Sequence, residues 1–378
     1  MLLTIFTSYL FFYKKKNLKR TTIFFLIANI TLLPIFLIGV IEGFFQFYRI
    51  NINFIDKSDA IAAHVQTFSK EYKPIKLYEN LNNVYAPIKS EHININNQGF
   101  RTYDFNIKKK EKEKRIIILG GSTTYGYNLA DKNTISKQLE KMYKNQNTKV
   151  FNLGMNFFDF YDEVISIKMF IETIKPNKII FYHGLNDIIG TEYQKIIEYS
   201  DNRSYLKNIY ELNYFEKKTL LIKTYLINKS FYMIFSTYYK KIFPYKVNID
   251  ITNYQNLINN QVNQNYMKLY KDLNKDICNK KECFFLIQPN ILHKRNKTVF
   301  EQIIANDFIS NYPLIDKIYN DYFDIIISQN KNNICDLRRI FNNTNDNIFF
   351  DELHVNSIGN LIIAKEIYNI INKENNLC

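Results

Sequence analysis

The sequence predicts an α/β fold built on a parallel sheet covered on both faces. Five short apolar runs, at 115–119, 149–152, 178–183, 283–288 and 333–337, have the length and the β-branched or aromatic content of buried strands. Stretches with helical spacing alternate with them, at 135–143, 162–174, 265–277, 300–330 and 358–371. Strands alternating with helices imply parallel pairing, because a parallel connection needs a crossover long enough to hold a helix.

Ahead of this pattern lies a different one. Residues 23–41 carry no charge and, as a helix, span roughly 28 Å, close to the hydrocarbon thickness of a bilayer. Lys14, Lys15, Lys16, Lys19 and Arg20 precede the run and Glu42 follows it. By the positive-inside rule the basic flank stays in the cytoplasm and the rest of the chain is exported. A small-x-small cleavage pattern is missing after Ile41, so an uncleaved transmembrane anchor over 1–48 is expected rather than a removed signal peptide. This places the protein in the inner membrane as a single-pass protein with its main domain extracytoplasmic (periplasmic). Residues 49–110 read as a stalk and lead-in segment, and 111–378 as the main domain. Within that domain, residues 190–265 break the alternation; they are rich in Tyr, Lys and Asn and read as a helical insertion over the mouth of the sheet.

The formal net charge is +14, from 50 Lys+Arg against 36 Asp+Glu. Lys, Asn, Ile, Phe and Tyr are abundant along the whole chain, so the charge follows a general compositional bias. No nucleic-acid module accompanies it, and no nucleic acid is expected as partner. Cys278 and Cys283 are separated by four residues across a Lys-rich turn, which is compatible with a local disulfide or with two thiols. Cys335 sits in an apolar run and reads as a buried residue. No ligand motif indicates a metal, and no cofactor is expected.

The candidate chemistry lies where strands end, which is where α/β sheets bind ligands. Gly120-Gly121-Ser122-Thr123-Thr124 follows the first strand; Ser122 is a nucleophile candidate, or a helix N-cap. Asn152-Leu153-Gly154 ends the second strand, where Gly154 offers a backbone N–H or makes an ordinary turn. Gly184-Leu185-Asn186-Asp187 follows the third; Asn186 offers a side-chain amide or makes an Asx-turn. Asp351-Glu352-Leu353-His354 precedes the last helix, with spacing that brings Asp351 and His354 to one side. His354 is then a general base and Asp351 its orienting carboxylate. His183 also lies at a strand end, but no carboxylate partner is obvious for it.

These four blocks, in this order, resemble the SGNH (GDSL-like) hydrolase superfamily, in the form found in membrane-anchored bacterial members. Asn97-Gln98-Gly99-Phe100-Arg101 is similar to a stretch that precedes the catalytic domain in many of them, and Leu286-Ile287-Gln288-Pro289 is similar to their strand-Gln-Pro segment. The resemblance covers about residues 95–373. It implies a flavodoxin-like three-layer α/β/α sandwich with a five-stranded parallel sheet, and acyl-ester chemistry through an acyl-serine. It implies Ser122, Asp351 and His354 as the catalytic set, and an oxyanion hole formed by the N–H groups of Ser122 and Gly154 and the side chain of Asn186. Here the first block has Gly-Gly-Ser in place of Gly-Asp-Ser. The expected substrate is an acyl ester, acetyl among the options, of an envelope glycan or lipid. An O-acyltransferase using the same site, and a catalytically silent envelope scaffold, are the alternatives.

Overall fold

The computed structural model describes residues 57–144, 146–189, 251–312, 314–329 and 334–372. The predicted anchor at 23–41, most of the stalk's first residues and the predicted insertion as far as residue 250 lie outside the described residues. Among the described residues no helix is long and apolar enough to cross a membrane.

The core is a five-stranded parallel sheet: β1 (Lys114–Gly120), β2 (Thr148–Asn152), β3 (Lys178–His183), β4 (Glu282–Ile287) and β5 (Ile334–Asp336), in the order β2-β1-β3-β4-β5. This is the flavodoxin-like strand order. Ile116, Ile117, Ile118 and Leu119 of β1 are all buried, as are Ile179, Ile180, Phe181 and Tyr182 of β3. Side chains alternate between the two faces of a strand, so unbroken burial means that both faces are covered.

The covering helices follow from crossover handedness. α1 (Lys57–Phe68) lies ahead of the sheet, and the short α2 (Ser122–Tyr125) follows β1. α3 (Ile135–Met142) connects β1 to β2, and α4 (Phe160–Ile174) connects β2 back across to β3. Right-handed crossovers running in opposite directions put these two helices on opposite faces. Thr134 caps α3 by accepting from the Lys137 N–H, and Asp159 caps α4 by accepting from Asp162. After β3 and the short α5 (Asn186–Ile189), helical backbone runs from 251 to 278 as α6 (Ile251–Gln261) and α7 (Met267–Leu273), each followed by a π-type turn. The sequence assigns 251–265 to the insertion. The structure makes them the front of the helix leading to β4, with Tyr254, Ile258 and Val262 buried. The Asn- and Gln-rich composition of this stretch hid its apolar stripe.

α8 (Val299–Asn311) and α9 (Ile315–Gln329) precede β5, and α10 (Ser357–Asn372) packs beside α3. Cys278 and Cys283 form a disulfide between the end of the helical run and β4. Cys335 is buried as expected, but it too is disulfide-bonded rather than a thiol.

The lead-in segment is anchored to the domain. Gly99 adopts φ +85°, which lets the chain turn so that Phe100 is fully buried and Arg101 reaches inward. The Arg101 guanidinium donates to the carbonyls of Gly126 and Leu129 at 2.8 and 2.6 Å and pairs with Asp131 at 2.7 Å. It thereby fixes the loop that follows α2.

Candidate active site

Ser122 is the first residue of α2. The N-cap is Gly121, which makes no side-chain cap, so the Ser122 hydroxyl is not used to cap the helix. It meets His354 Nε2 at 2.7 Å instead. His354 Nδ1 meets Asp351 Oδ2 at 2.7 Å. Asp351 Oδ1 accepts from the backbone N–H groups of Leu353 and His354 at 3.0 and 2.7 Å, which locks the carboxylate. Burial pushes the Asp351 carboxyl up, but His354 and these N–H donors outweigh it and hold it below the usual range. An ionised Asp351 fixes the proton on Nδ1 and leaves Nε2 to accept from the serine hydroxyl. The imidazole packs against two aromatic rings: Tyr127, tilted with its centroid 4.9 Å away, and Phe350, near-parallel at 5.8 Å.

Glycines allow the close approach around α2. A Cβ on Gly121 would stand 2.5 Å from Asn186 Nδ2 and 3.2 Å from the Phe158 carbonyl oxygen. Asn186 Nδ2 donates to that carbonyl at 2.8 Å and sits against Gly121, directly before the nucleophile, with a second N–H to offer. The neighbouring Asp187 holds this corner: Oδ1 accepts from Phe160 N–H at 2.7 Å and Oδ2 from Gly184 N–H at 2.9 Å. Burial pushes Asp187 up to about 7; His183 opposes this, while Glu163 and Asp159 add to it.

Gly154 departs from expectation. Its N–H donates to Asn152 Oδ1 at 2.9 Å and is not a free donor. The glycine is needed for space: a Cβ there would lie 2.5 Å from Tyr125 N and 2.6 Å from Thr124 Cβ. The Asn152 amide in turn donates to the Thr124 carbonyl at 2.9 Å, tying the end of β2 to α2.

His183 does have a carboxylate partner, contrary to the sequence expectation. Its Nδ1 faces Glu163 Oε2 at 3.4 Å and its Nε2 faces the Tyr266 hydroxyl at 2.7 Å. This group is buried among Phe160, Phe323 and Tyr266. Burial lowers His183 to about 4 and pushes the Glu163 carboxyl well above its ordinary value, with Asp159 and Asp162 adding to the rise. The pair supports the helix layer and does not meet Ser122. Gln288, at the end of β4, accepts from the Thr123 hydroxyl at 2.8 Å. Among the described residues no cluster of three or more His, Cys, Asp or Glu side chains is arranged to hold a metal.

The structure thus supplies a Ser–His–Asp chain at the carboxyl edge of a parallel sheet, with the four blocks of the SGNH resemblance gathered around it. No family model and no curated protein matches the chain. Solved structures resemble it distantly. A lipolytic protein of the G-D-S-L family from Veillonella parvula is 12% identical, with 69% of this chain and 100% of that one covered and a TM-score of 0.37. A catalytic mutant of an acetylxylan esterase from Geobacillus stearothermophilus is 13% identical, with 71% and 98% covered and a TM-score of 0.36. A gut microbial diltiazem-metabolizing enzyme is 14% identical at a TM-score of 0.38; 70% of this chain is covered, and it spans about half (48%) of that protein. At these values the chemistry rests on the side chains themselves.

Proposed function

We propose that this protein is an SGNH-type serine esterase, anchored in the inner membrane by its N-terminal segment, that hydrolyses acyl esters of envelope glycans or lipids on the periplasmic side. The observation that carries the chemistry is the unbroken hydrogen-bond chain Ser122–His354–Asp351, with 2.7 Å at both links. Ser122 Oγ attacks the acyl carbon while His354 Nε2 takes its proton. The alcohol leaves with that proton, and a water activated by the same imidazole releases the acid from the acyl-serine. The Cys278–Cys283 disulfide favours an oxidising compartment, and the basic flank before residue 23 favours export of the domain.

The test is labelling of the detergent-solubilised full chain by a fluorophosphonate, beside Ser122→Ala. Labelling that disappears in the variant is expected. No labelling of the folded wild-type chain would refute the proposal.

A further inference from the structure

The Asn97–Arg101 stretch belongs to the lead-in segment, yet its last side chain reaches a loop that touches both reacting residues. Arg101 is only 4% exposed. Its Nε pairs with Asp131 Oδ1 at 2.7 Å, Nη1 donates to the Gly126 carbonyl at 2.8 Å and Nη2 to the Leu129 carbonyl at 2.6 Å. The planar guanidinium thus grips both ends of the loop 126–129 in a fixed fork. Asn94 Nδ2 binds the other Asp131 oxygen at 2.9 Å, so lead-in residues hold both sides of the ion pair. A buried pair of this kind contributes little net stability compared with an apolar replacement. What it supplies is the placement of the loop.

Gly126, with φ +85°, ends α2, and the N–H groups of Gly126 and Tyr127 both donate to the Ser122 carbonyl, at 3.0 and 3.1 Å. The loop therefore holds the backbone of the nucleophile. The Tyr127 ring packs against the His354 imidazole, centroid 4.9 Å away. The links from His354 to Ser122 and Asp351, 2.7 Å each, leave the imidazole at its edge, from its two nitrogens. Packing against the ring is what resists its rotation out of that line. One arginine thus bears on the nucleophile through the Ser122 carbonyl and on the base through Tyr127.

We propose that Arg101 is a positioning residue for the catalytic pair: by fixing the loop 126–129 it sets Ser122 and, through Tyr127, the plane of His354. The proposal rests on the esterase reading of Ser122. It makes the lead-in segment part of the active site's frame, although the four blocks that carry the chemistry begin only at Gly120.

The test uses the detergent-solubilised full chain. Fluorophosphonate titration, taken to completion, counts the reactive Ser122 sites, and turnover of a chromogenic aryl acetate is expressed per titrated site. Arg101→Lys keeps the charge opposite Asp131 but loses the fork. Its kcat per site is expected to fall about 10–100-fold with KM within about threefold, up to the size that a 1 Å misplacement of reacting groups costs. A merely structural arginine would lower the number of titrated sites and the melting temperature and leave kcat per site unchanged. Tyr127→Leu, expected to cost about two- to fivefold alone, should cost less than about 1.5-fold in the Arg101→Lys background, because the ring is already displaced there. A kcat per site within threefold of wild type in Arg101→Lys, or an equal cost of Tyr127→Leu in both backgrounds, would overturn the assignment. If Arg101→Lys does not fold, Asp131→Asn weakens the same anchor; a loss of about three- to tenfold per site is expected, and one below twofold overturns the assignment. Failure of the wild-type chain to label with fluorophosphonate would instead defeat the esterase proposal.

Discussion

Asp351→Asn isolates the electrostatic role of the carboxylate from its structural one. In the native chain Oδ1 accepts two backbone N–H bonds and Oδ2 faces His354 Nδ1. An asparagine amide has one oxygen and one NH2. Placing the NH2 toward Leu353 and His354 would set donors against two donors at 3.0 and 2.7 Å, so the oxygen must keep that side. The NH2 then faces Nδ1 and forces it to be an acceptor, which puts the imidazole proton on Nε2. A protonated Nε2 cannot accept the Ser122 proton. The same change in serine proteases costs about 10⁴ in kcat, or roughly 5.5 kcal/mol of transition-state stabilisation. We expect a 10²–10⁴-fold loss in aryl acetate turnover with an unchanged circular-dichroism spectrum, since both turn-forming bonds survive. Turnover within tenfold of wild type at pH 7 would refute the tautomer argument and with it the role of His354 as base.

Asn186→Ala removes a donor and the tie to Phe158, and kcat is expected to fall 10²–10³-fold, measured on the same ester. Gly154→Ala forces a Cβ to within 2.5 Å of Tyr125 N, and chemical denaturation should show a loss of about 1–3 kcal/mol in stability. Replacing Tyr127 or Phe350 by Leu removes a ring face from the imidazolium that forms during attack; a loss of about 0.5–1 kcal/mol predicts a two- to fivefold lower kcat. Asp187, raised to about 7 in the fold against about 4 in the unfolded chain, contributes stability that is complete below pH 4 and lost as pH rises toward 7. Its full span is on the order of 4 kcal/mol, and Asp187→Asn should flatten that part of the stability–pH curve even if it lowers the whole curve.

Much of the framework was legible because its signals are local. Runs such as Arg115–Leu119 and Lys178–His183 are too short and too apolar for anything but buried strands between helices. The Asp351–His354 spacing, together with its place before the last helix, singled out two residues that the structure puts 2.7 Å apart. What was not legible depends on contacts between distant segments. Glu163 beside His183 and Gln288 beside Thr123 are partners made by packing α4 and β4 against the β1 and β3 ends, and spacing along the chain carries no trace of them. Gly154 misled for a physical reason. A glycine at a strand end signals either an exposed N–H or a close approach, and only the position of Thr124 and Tyr125 separates the two.

The four blocks are joined by bonds that bypass the reacting atoms. Thr123 is bound to Gln288, Asn152 to Thr124, Asn186 to Phe158, and Asp187 to both Gly184 and Phe160. The loop leading to Asp351 is held in the same way: Lys294 binds Glu301 and the Asp346 carbonyl, and Glu301 accepts from the Ile348 and Phe349 N–H groups at 2.9 and 3.1 Å. Lys294 and Glu301 are both fully buried, and removing either one leaves the other's charge unpaired. Such a pair contributes little net stability compared with an apolar replacement, yet it fixes the loop's position relative to β4. In this chain the bonds that hold the fold together at the sheet's carboxyl edge are also the ones that set the distances between Ser122, His354 and Asn186. Loss of activity at Lys294, Glu301, Asn152 or Gln288 therefore signals contact with substrate only where the melting temperature stays unchanged.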